Sequence, residues 1–412
     1  MASVRFAPVL RSKAASRVPR IATRSAHDLT IINQPKTNRA QPIIKQGPPS
    51  GGRSATSGHT VTVFGATGFL GRYIVAKLAK EGSQVIVPYR DEDDKRHLKV
   101  AGDLGQVVPL EWDARNPDQI HEAVRHSDTV YNLVGRDWQT RNFSYDDVNV
   151  KAAGLIAQVS AASGVDQLIH VSHLNANPNS PSEFYRSKYA GERAVRDAFP
   201  TATIVRPGYM YGPEDWLLNA AAQWPILFKL NGGNTKILPV HALDVAQALK
   251  VILDAPVTSV ASTFNLPGPA VHTYNSILQL IAALTMKGEA TDPTIPKAVA
   301  KAFAGVTNRA LWWPTVSPDE IERRFIDDAG VEKFFAADTS AIPSGWVPEE
   351  GPVGVPAVDG EPIKSWAELQ IEPDFIEEHA IKYVRRYRTA ATFDSPVELG
   401  HFKAPKPYHV VP

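Results

Sequence analysis

The sequence contains no cysteine. Its 412 residues therefore cannot form disulfide bonds, thiolate zinc sites or cysteine-ligated iron–sulfur clusters, so the chain carries no such electron-transfer centre of its own. No run of about 18 apolar residues occurs, which argues against a membrane-spanning helix. Neither sign of charge dominates, with 44 basic and 43 acidic residues, so the composition predicts no nucleic-acid partner.

Acidic residues are also missing from the beginning of the chain. Six basic residues stand there among Ser and Ala, namely Arg5, Arg11, Lys13, Arg17, Arg20 and Arg24. This composition is typical of a mitochondrial presequence, which we expect in residues 1–26; a disordered basic tail is the alternative. Residues 27–58 are rich in Pro and Gly, which predicts a flexible lead-in to the folded part.

A glycine-rich turn follows the first strongly apolar segment, Val61–Phe64, and an apolar helical pattern continues over residues 69–81. The glycines are spaced G-x-x-G-x-x-G between a strand and a helix, where they allow a tight turn, close approach to a diphosphate and close helix–strand packing. The first amides of the helix would face the anion. The pattern therefore predicts dinucleotide binding by Gly65, Ala66, Thr67, Gly68, Phe69, Leu70 and Gly71.

Arg90 lies about 20 residues beyond this turn, at the end of a second predicted strand, Gln84–Pro88. NAD-binding folds place an acidic residue here to hold the ribose 2′-hydroxyl, whereas an arginine suits the 2′-phosphate of NADP. Asp91 is adjacent and would serve NAD if the register shifted by one residue. We therefore predict NADPH as the cofactor, with NAD(H) as the alternative.

Strand and helix patterns alternate further along the chain. The predicted strands are 107–110, 129–134 and 168–171, and the predicted helices are 117–126 and 145–163. This alternation predicts an α/β fold with a doubly wound parallel sheet of the Rossmann type, whose ligand crevice lies outside the carboxyl ends of the strands. Asp113, Leu133, Val134 and Ser172 follow these strands, so we expect them to contact the cofactor.

Two histidine patterns could suggest a metal site. His121-Glu122 begins a zinc-protease motif, but the second histidine that this motif needs is replaced by Arg125. His170 and His173 have no companion ligands in the neighbouring sequence. We therefore predict no metal site.

The glycine-rich turn and the alternating strands and helices described above resemble the extended and atypical short-chain dehydrogenase/reductase superfamily over roughly residues 59–285. Such enzymes use a Tyr-x-x-x-Lys pair, in which the lysine holds the nicotinamide ribose and the tyrosine transfers the proton. Here Phe184 stands four residues before Lys188, and Tyr185 stands only three before it. The resemblance implies that Lys188 and Pro207 contact the cofactor and that the chain has no catalytic residue.

The segments Ile169–Ala176 and Phe184–Glu192 resemble more closely the NADPH-binding accessory subunits of mitochondrial complex I, the family of the ninth alpha-subcomplex subunits. The resemblance implies an NADPH that does not feed the respiratory chain. It also implies a peripheral position on the matrix side of the inner membrane, in contact with matrix-arm and quinone-region subunits. An active reductase or epimerase that uses Tyr185, and a sensor of the NADPH to NADP ratio, are the alternatives.

The expected domains are an NADP-binding domain at 59–213, a smaller cap domain at 214–290 and an extension at 291–412 that docks to partner subunits. Helices are expected at Trp216–Leu230, Tyr274–Leu284 and Pro373–Arg388, and a loop at 340–363. Residues 294–316 carry Lys297, Lys301, Arg309 and Trp312-Trp313 but no acid, which predicts contact with membrane-surface lipids or with a partner. A buried helix is the alternative.

Overall fold

Parallel strands form the central layer of the molecule. The computed structural model describes residues 57–223, 229–255, 259–286, 293–310, 317–331, 363–390, 392–395 and 397, with the backbone of residues 29–31 and 44–46. Eight strands make one sheet in which every neighbouring pair is parallel. In chain order they are β1 (Thr60–Phe64), β2 (Gln84–Tyr89), β3 (Val107–Glu111), β4 (Thr129–Asn132), β5 (Gln167–Val171), β6 (Thr203–Pro207), β7 (Thr263–Leu266) and β8 (Ile363–Lys364).

The order of the strands in space is β8-β7-β6-β5-β4-β1-β2-β3. The chain therefore proceeds from β1 toward one edge and then crosses back to β4 on the other side of β1. Phe64 at the end of β1 lies opposite Asn132 at the end of β4. This strand order confirms the predicted Rossmann-type fold. In open parallel sheets the ligand crevice lies at such a reversal point.

Helices cover both faces of the sheet. The helices of the described residues are α1 (Phe69–Lys80), α2 (Pro117–Val124), α3 (Ala153–Ser163), α4 (Glu183–Ala198), α5 (Trp216–Gln223), α6 (Ala242–Asp254), α7 (Tyr274–Thr285), α8 (Lys297–Ala310), α9 (Pro318–Arg323), α10 (Trp366–Leu369) and α11 (Ile376–Val384). On one face, α1 and α6 pack on alternate strand residues such as Val63 and Tyr131. On the other face, α2, α3 and α4 pack on their neighbours, including Phe64 and Val130.

The helix predicted at 145–163 contains a π-helical turn over Asp147–Ala152 before α3 begins. Here α4 lies so close that a Cβ atom added at Gly191 would overlap the Asn149 carbonyl oxygen. The Asn149 side chain is buried and donates to Ser187 Oγ of α4 over 2.9 Å. The wider turn thus accompanies a close helix contact, which periodicity alone does not reveal.

A third apolar cluster joins α5, α7 and α11 through residues such as Leu218, Ile281 and Ala380. The helix predicted over Trp216–Leu230 is too long, because α5 ends at Gln223 and Lys229–Leu230 is a short strand parallel to Thr294–Ile295. Pro225 stands in the intervening sequence, and proline cannot donate the backbone hydrogen bond that continues a helix.

Residues 363–387 pack on the chain's own core. Strand β8 pairs with β7 at the edge of the sheet, although 340–363 is predicted as loop; residues 332–362 lie outside the described residues. Trp366 is buried and its indole nitrogen donates to the Pro267 carbonyl over 2.7 Å. The helix predicted at Pro373–Arg388 is present as α11 and a following 3₁₀ turn, Arg385–Tyr387.

The expected presequence, residues 1–26, and the tail beyond residue 397 also lie outside the described residues. Within the predicted lead-in, Leu29–Ile31 pairs with Ile44–Gln46 as two antiparallel strands. In the described part of the chain, no helix has the length and apolar character needed to cross a membrane.

A pair of glycine substitutions tests the close contact between α4 and the π turn. Gly191→Ala should lower the free energy of unfolding by about 1–3 kcal/mol, because the new methyl group overlaps backbone that cannot retreat. Gly154→Ala is the matched control, since its Cβ would lie 3.6 Å from Ala194 Cβ, an ordinary contact. Urea unfolding that showed equal stabilities for the two variants would contradict this packing.

Candidate functional site

The glycine-rich turn lies between β1 and α1, at the reversal point of the sheet. Gly65 has φ +80°, and a Cβ there would lie 2.9 Å from the Leu133 carbonyl carbon and oxygen. Gly68 N donates to Gly65 O over 3.1 Å, and Gly68 is the N-cap of α1 without a side-chain hydrogen bond. The first turn of α1 also contains no acid, so its amides can accept an anion.

The other predicted cofactor residues follow the strands at the same edge of the sheet. Arg90 follows β2 and Asp113 follows β3, and both are exposed. Leu133 and Val134 follow β4, where Leu133 N donates to Phe64 O over 3.0 Å. The remaining residues lie after β5, on α4 and at the end of β6, respectively Ser172, Lys188 and Pro207. The structure thus places the predicted residues at the carboxyl edge of the sheet or on the adjoining helix α4; cofactor contact remains a prediction.

Arg136, which the sequence analysis did not identify, lies near Arg90. Burial lowers the pKa of Arg136, and the positive charge of Arg90 lowers it further. Within the described residues, no carboxylate forms an ion pair with either guanidinium. Two arginines that repel each other in this way provide a favourable place for an anionic group.

Lys188 is buried on α4, with Nζ 5.7 Å from the centre of the Phe184 ring. Its ammonium group lies against the turn after β4, because a Cβ added at Gly135 would be 2.9 Å from Nζ. Burial lowers the pKa of Lys188, while the negative charges of Asp137 and Glu192 raise it. The ammonium group therefore lies between α4 and the turn after β4.

Phe184 lies one helical turn before Lys188 on α4, and it is only 3% exposed. Its ring contacts Tyr145 and Tyr185, with centroids 5.7 and 5.6 Å away. Tyr185 turns toward Asn175, whose Nδ2 donates to the Tyr185 hydroxyl over 3.4 Å. Burial raises the pKa of Tyr185 to about 12, which disfavours a role as a base near neutral pH.

Residues 317–331, which we call the covering segment, lie over the N-terminus of α4. Asp319 accepts hydrogen bonds from Ser182 Oγ over 2.9 Å and from Glu183 N over 2.7 Å. Ser182 is the N-cap residue of α4 but makes no capping hydrogen bond itself. The carboxylate of Asp319 therefore caps α4 from 137 residues further along the chain.

Arg323 of the covering segment contacts Phe184 and the loop that follows β4. Its guanidinium lies 4.6 Å from the centre of the Phe184 ring and donates to the Asp137 carbonyl oxygen over 2.6 Å. The Tyr145 hydroxyl donates to the same carbonyl oxygen over 3.0 Å. The covering segment is thus tied to the loop that follows the β4 turn.

Asp328 fastens the other end of the covering segment. Its carboxylate accepts hydrogen bonds from Asn175 Nδ2 over 2.7 Å and from Leu238 N over 2.8 Å. Asn175 Oδ1 in turn accepts from Ala329 N over 2.8 Å. Burial raises the pKa of Asp328 to about 6.

A separate histidine cluster joins the start of α6 to α11. His241, Asp374 and His379 bring possible metal-ligand atoms within 4.8 Å of one another. However, the two imidazole rings stack 4.5 Å apart at 15°, whereas a shared ion would have to lie in the plane of both rings. His241 instead shares a 2.7 Å hydrogen bond with the Tyr383 hydroxyl, and His379 a 2.9 Å one with Asp374. These hydrogen bonds and the ring stacking connect the start of α6 to α11.

Comparisons with known proteins agree with a nucleotide-binding fold. A family model described as NAD(P)H-binding matches residues 65–256. The chain is 44% identical over 373 residues to the mitochondrial NADH-ubiquinone oxidoreductase 40 kDa subunit of Neurospora crassa. The alignment covers 90% of this chain and 89% of that subunit. It is 38% identical over 361 residues to mitochondrial NADH dehydrogenase (ubiquinone) 1 alpha subcomplex subunit 9 of Mus musculus, with coverage of 86% and 87%.

A solved structure gives the same fold at greater distance. UDP-glucuronic acid 4-epimerase from Bacillus cereus in complex with NAD is 18% identical and has a TM-score of 0.50. The alignment covers 64% of this chain and 96% of the epimerase. At this identity the likeness shows the fold alone.

His170 provides a test of the buried site through the pH dependence of stability. Burial, together with the charge of Lys188, lowers its pKa to about 3, and the described residues offer no hydrogen-bond partner to either ring nitrogen. Because the unfolded histidine binds its proton near pH 6.5, the folded state loses stability as the pH falls below that value. Between pH 7 and pH 5 this group should cost about 2 kcal/mol.

His170→Leu should remove that part of the acid sensitivity and preserve stability at pH 7. Unfolding by urea at both pH values measures the difference, and exposed His121→Gln is the control that should retain the wild-type slope. An unchanged pH slope in His170→Leu would contradict the lowered pKa, because it would show that the imidazole takes up its proton at the same pH in the folded and the unfolded protein.

Proposed function

The chain belongs to the family of mitochondrial NADH-ubiquinone oxidoreductase subunits that includes the Neurospora crassa 40 kDa subunit and alpha subcomplex subunit 9, and we propose that it is a non-catalytic, NADPH-binding accessory subunit of complex I. The observation that carries the non-catalytic part is the closed acid–base position. Phe184 stands there, and Arg323 covers it.

The two phenols that flank Phe184 are engaged by other groups. The Tyr145 hydroxyl donates to the Asp137 carbonyl oxygen, and the Tyr185 hydroxyl accepts from Asn175 Nδ2. Arg323 covers the ring of Phe184 and donates to the Asp137 carbonyl oxygen. The crevice can therefore bind a nucleotide without offering the nicotinamide ring a reaction partner.

A nucleotide held in this way acts on stability. A ligand that binds only the folded state raises the free energy of unfolding by about 2.7 kcal/mol when its concentration is 100 times its dissociation constant. The glycine turn would hold the diphosphate and Lys188 the nicotinamide ribose. Asp113, Leu133, Val134, Ser172 and Pro207 would complete the lining of the crevice.

The finer choice of NADPH over NADH rests on Arg90 and Arg136. Their mutual repulsion would be relieved by the 2′-phosphate, and NADH carries no such group. An acidic residue at the end of β2, the usual partner of the ribose hydroxyls in NAD-binding folds, is absent at position 90.

The proposed location is the matrix side of the inner mitochondrial membrane, at the periphery of the complex and near its quinone-binding region. The related subunits are mitochondrial, and the basic, acid-free residues 1–26 are those expected of a presequence. Residues 59–213 would bind the nucleotide, residues 214–290 would cap it, and residues 291–412 would dock to matrix-arm and quinone-region subunits.

Arg90→Asp should distinguish the two cofactors. We expect it to weaken NADPH binding by about a hundredfold, because it replaces attraction of a 2′-phosphate by repulsion, and to change NADH binding by less than about threefold. Fluorescence titration of the purified protein measures both affinities. The control is Arg115→Asp, which changes an exposed arginine near the end of β3. Equal weakening for NADPH and NADH would refute the role of Arg90.

Fractionation and nucleotide analysis test the function itself. In solubilised mitochondria, the chain should co-migrate with complex I, and mass spectrometry of the released small molecule should find NADPH. Added carbonyl compounds should not oxidise the bound NADPH, in wild type or in Tyr185→Phe. A chain found free in the matrix would contradict the subunit proposal, and oxidation that is lost in Tyr185→Phe would identify an enzyme.

A further inference from the structure

Helix α8 is attached to the rest of the molecule along a narrow stripe of small residues. Only Ala300 and Ala304 of this helix are buried, and they pack against Ile321 of α9. Lys297 forms a 2.5 Å ion pair with Glu322, and Lys301 pairs with the same carboxylate. The contacts therefore fix one side of the helix and leave the other side uncovered in the described part of the chain.

The uncovered side carries three large apolar residues, Val299, Phe303 and Val306. Their exposed fractions are 58%, 67% and 67%. The spacing i, i+4, i+7 places them in one line along the helix, so they form a continuous strip instead of isolated contacts. Such a line is what an amphipathic helix presents to an apolar phase, and it is not required for the packing of α8 on α9.

The sequence around α8 carries charges of one sign only. Residues 294–316 contain no acid, although acidic and basic residues are balanced over the whole chain. Arg309 stands in the last turn of α8 and is exposed, while Lys297 and Lys301 offset the charge of Glu322 beneath the helix. An anionic surface would therefore approach the apolar strip without meeting a carboxylate on α8.

We propose that this strip, Val299, Phe303 and Val306, lies on an anionic phospholipid bilayer, with α8 parallel to the membrane plane. The inference deepens the proposed function, because it rests on the peripheral membrane location and names the segment that makes the contact. A bilayer suits the strip better than a protein partner does. A stable protein interface buries about 800 Å² on each side, whereas three side chains on a convex helix offer a narrow insertion edge.

The geometry also limits how strong the contact can be. Phe303 and the two valines can bury their side chains among the acyl chains, but α8 cannot enter further because its opposite side is bound to α9. A single helix of this kind gives reversible attachment that strengthens with anionic lipid and weakens with salt. Docking to the complex would supply the remaining affinity.

The test is flotation of the full chain with phosphatidylcholine vesicles, with and without phosphatidylglycerol. Wild-type protein should float with the anionic vesicles, more weakly at high salt. The triple variant Val299→Ser, Phe303→Ser, Val306→Ser should partition at least about tenfold less, since each exposed side chain loses its transfer free energy. The control Val100→Ser, Leu104→Ser changes apolar residues elsewhere that are even more exposed, and it should float like wild type.

NADPH titration of the same proteins separates this inference from the proposed function. The triple variant should bind NADPH with wild-type affinity, which also shows that it is folded. Equal flotation of the triple variant and wild type would overturn the lipid contact and leave cofactor binding intact. A triple variant that floats normally but fails to join complex I would show that the strip docks to a protein, and the lipid contact would again be overturned.

Discussion

The close approach of the β1 turn to the end of β4 determines where the rest of the site can lie. A methyl group on Gly65 would stand 2.9 Å from the Leu133 carbonyl group, and the positive φ of Gly65 would strain any other residue as well. Because the two backbones touch, the amides at the start of α1 open directly into the crevice. The turn after β4 also contacts Lys188, so this backbone contact fixes the glycine turn relative to the ammonium group of α4.

The covering segment joins two distant parts of the chain, the start of α4 and residues 317–331. Asp319 replaces the missing side-chain cap of α4, and Arg323 seals the face of Phe184. Both interactions are charge-assisted and partly shielded from water, so they contribute more than an exposed ion pair would. The same segment thereby stabilises the start of α4 and covers the ring of Phe184.

The strands, the glycine turn and the position of Lys188 could be predicted because their signals are local: apolar runs of strand length and glycines at a helix start. Arg323 and Asp319 could not, since a carboxylate that caps a helix from more than a hundred residues away leaves no periodic pattern. The two-residue strand β8 is likewise too short for alternation to show. The π turn depends on Gly191 of another helix, and α5 ends earlier than its apolar sequence suggests.

Strand β8 has a consequence for how the chain is made. It adds to the sheet beside β7 only after about a hundred further residues have been synthesised, so its pairing is among the most non-local in the molecule. Until then β7 presents unpaired amide and carbonyl groups along an apolar edge, the type of edge that recruits other strands. A chain shortened before Ile363 would expose this edge permanently and would also lose the core contacts of Trp366 and α11. Aggregation is then the expected fate of such truncated products.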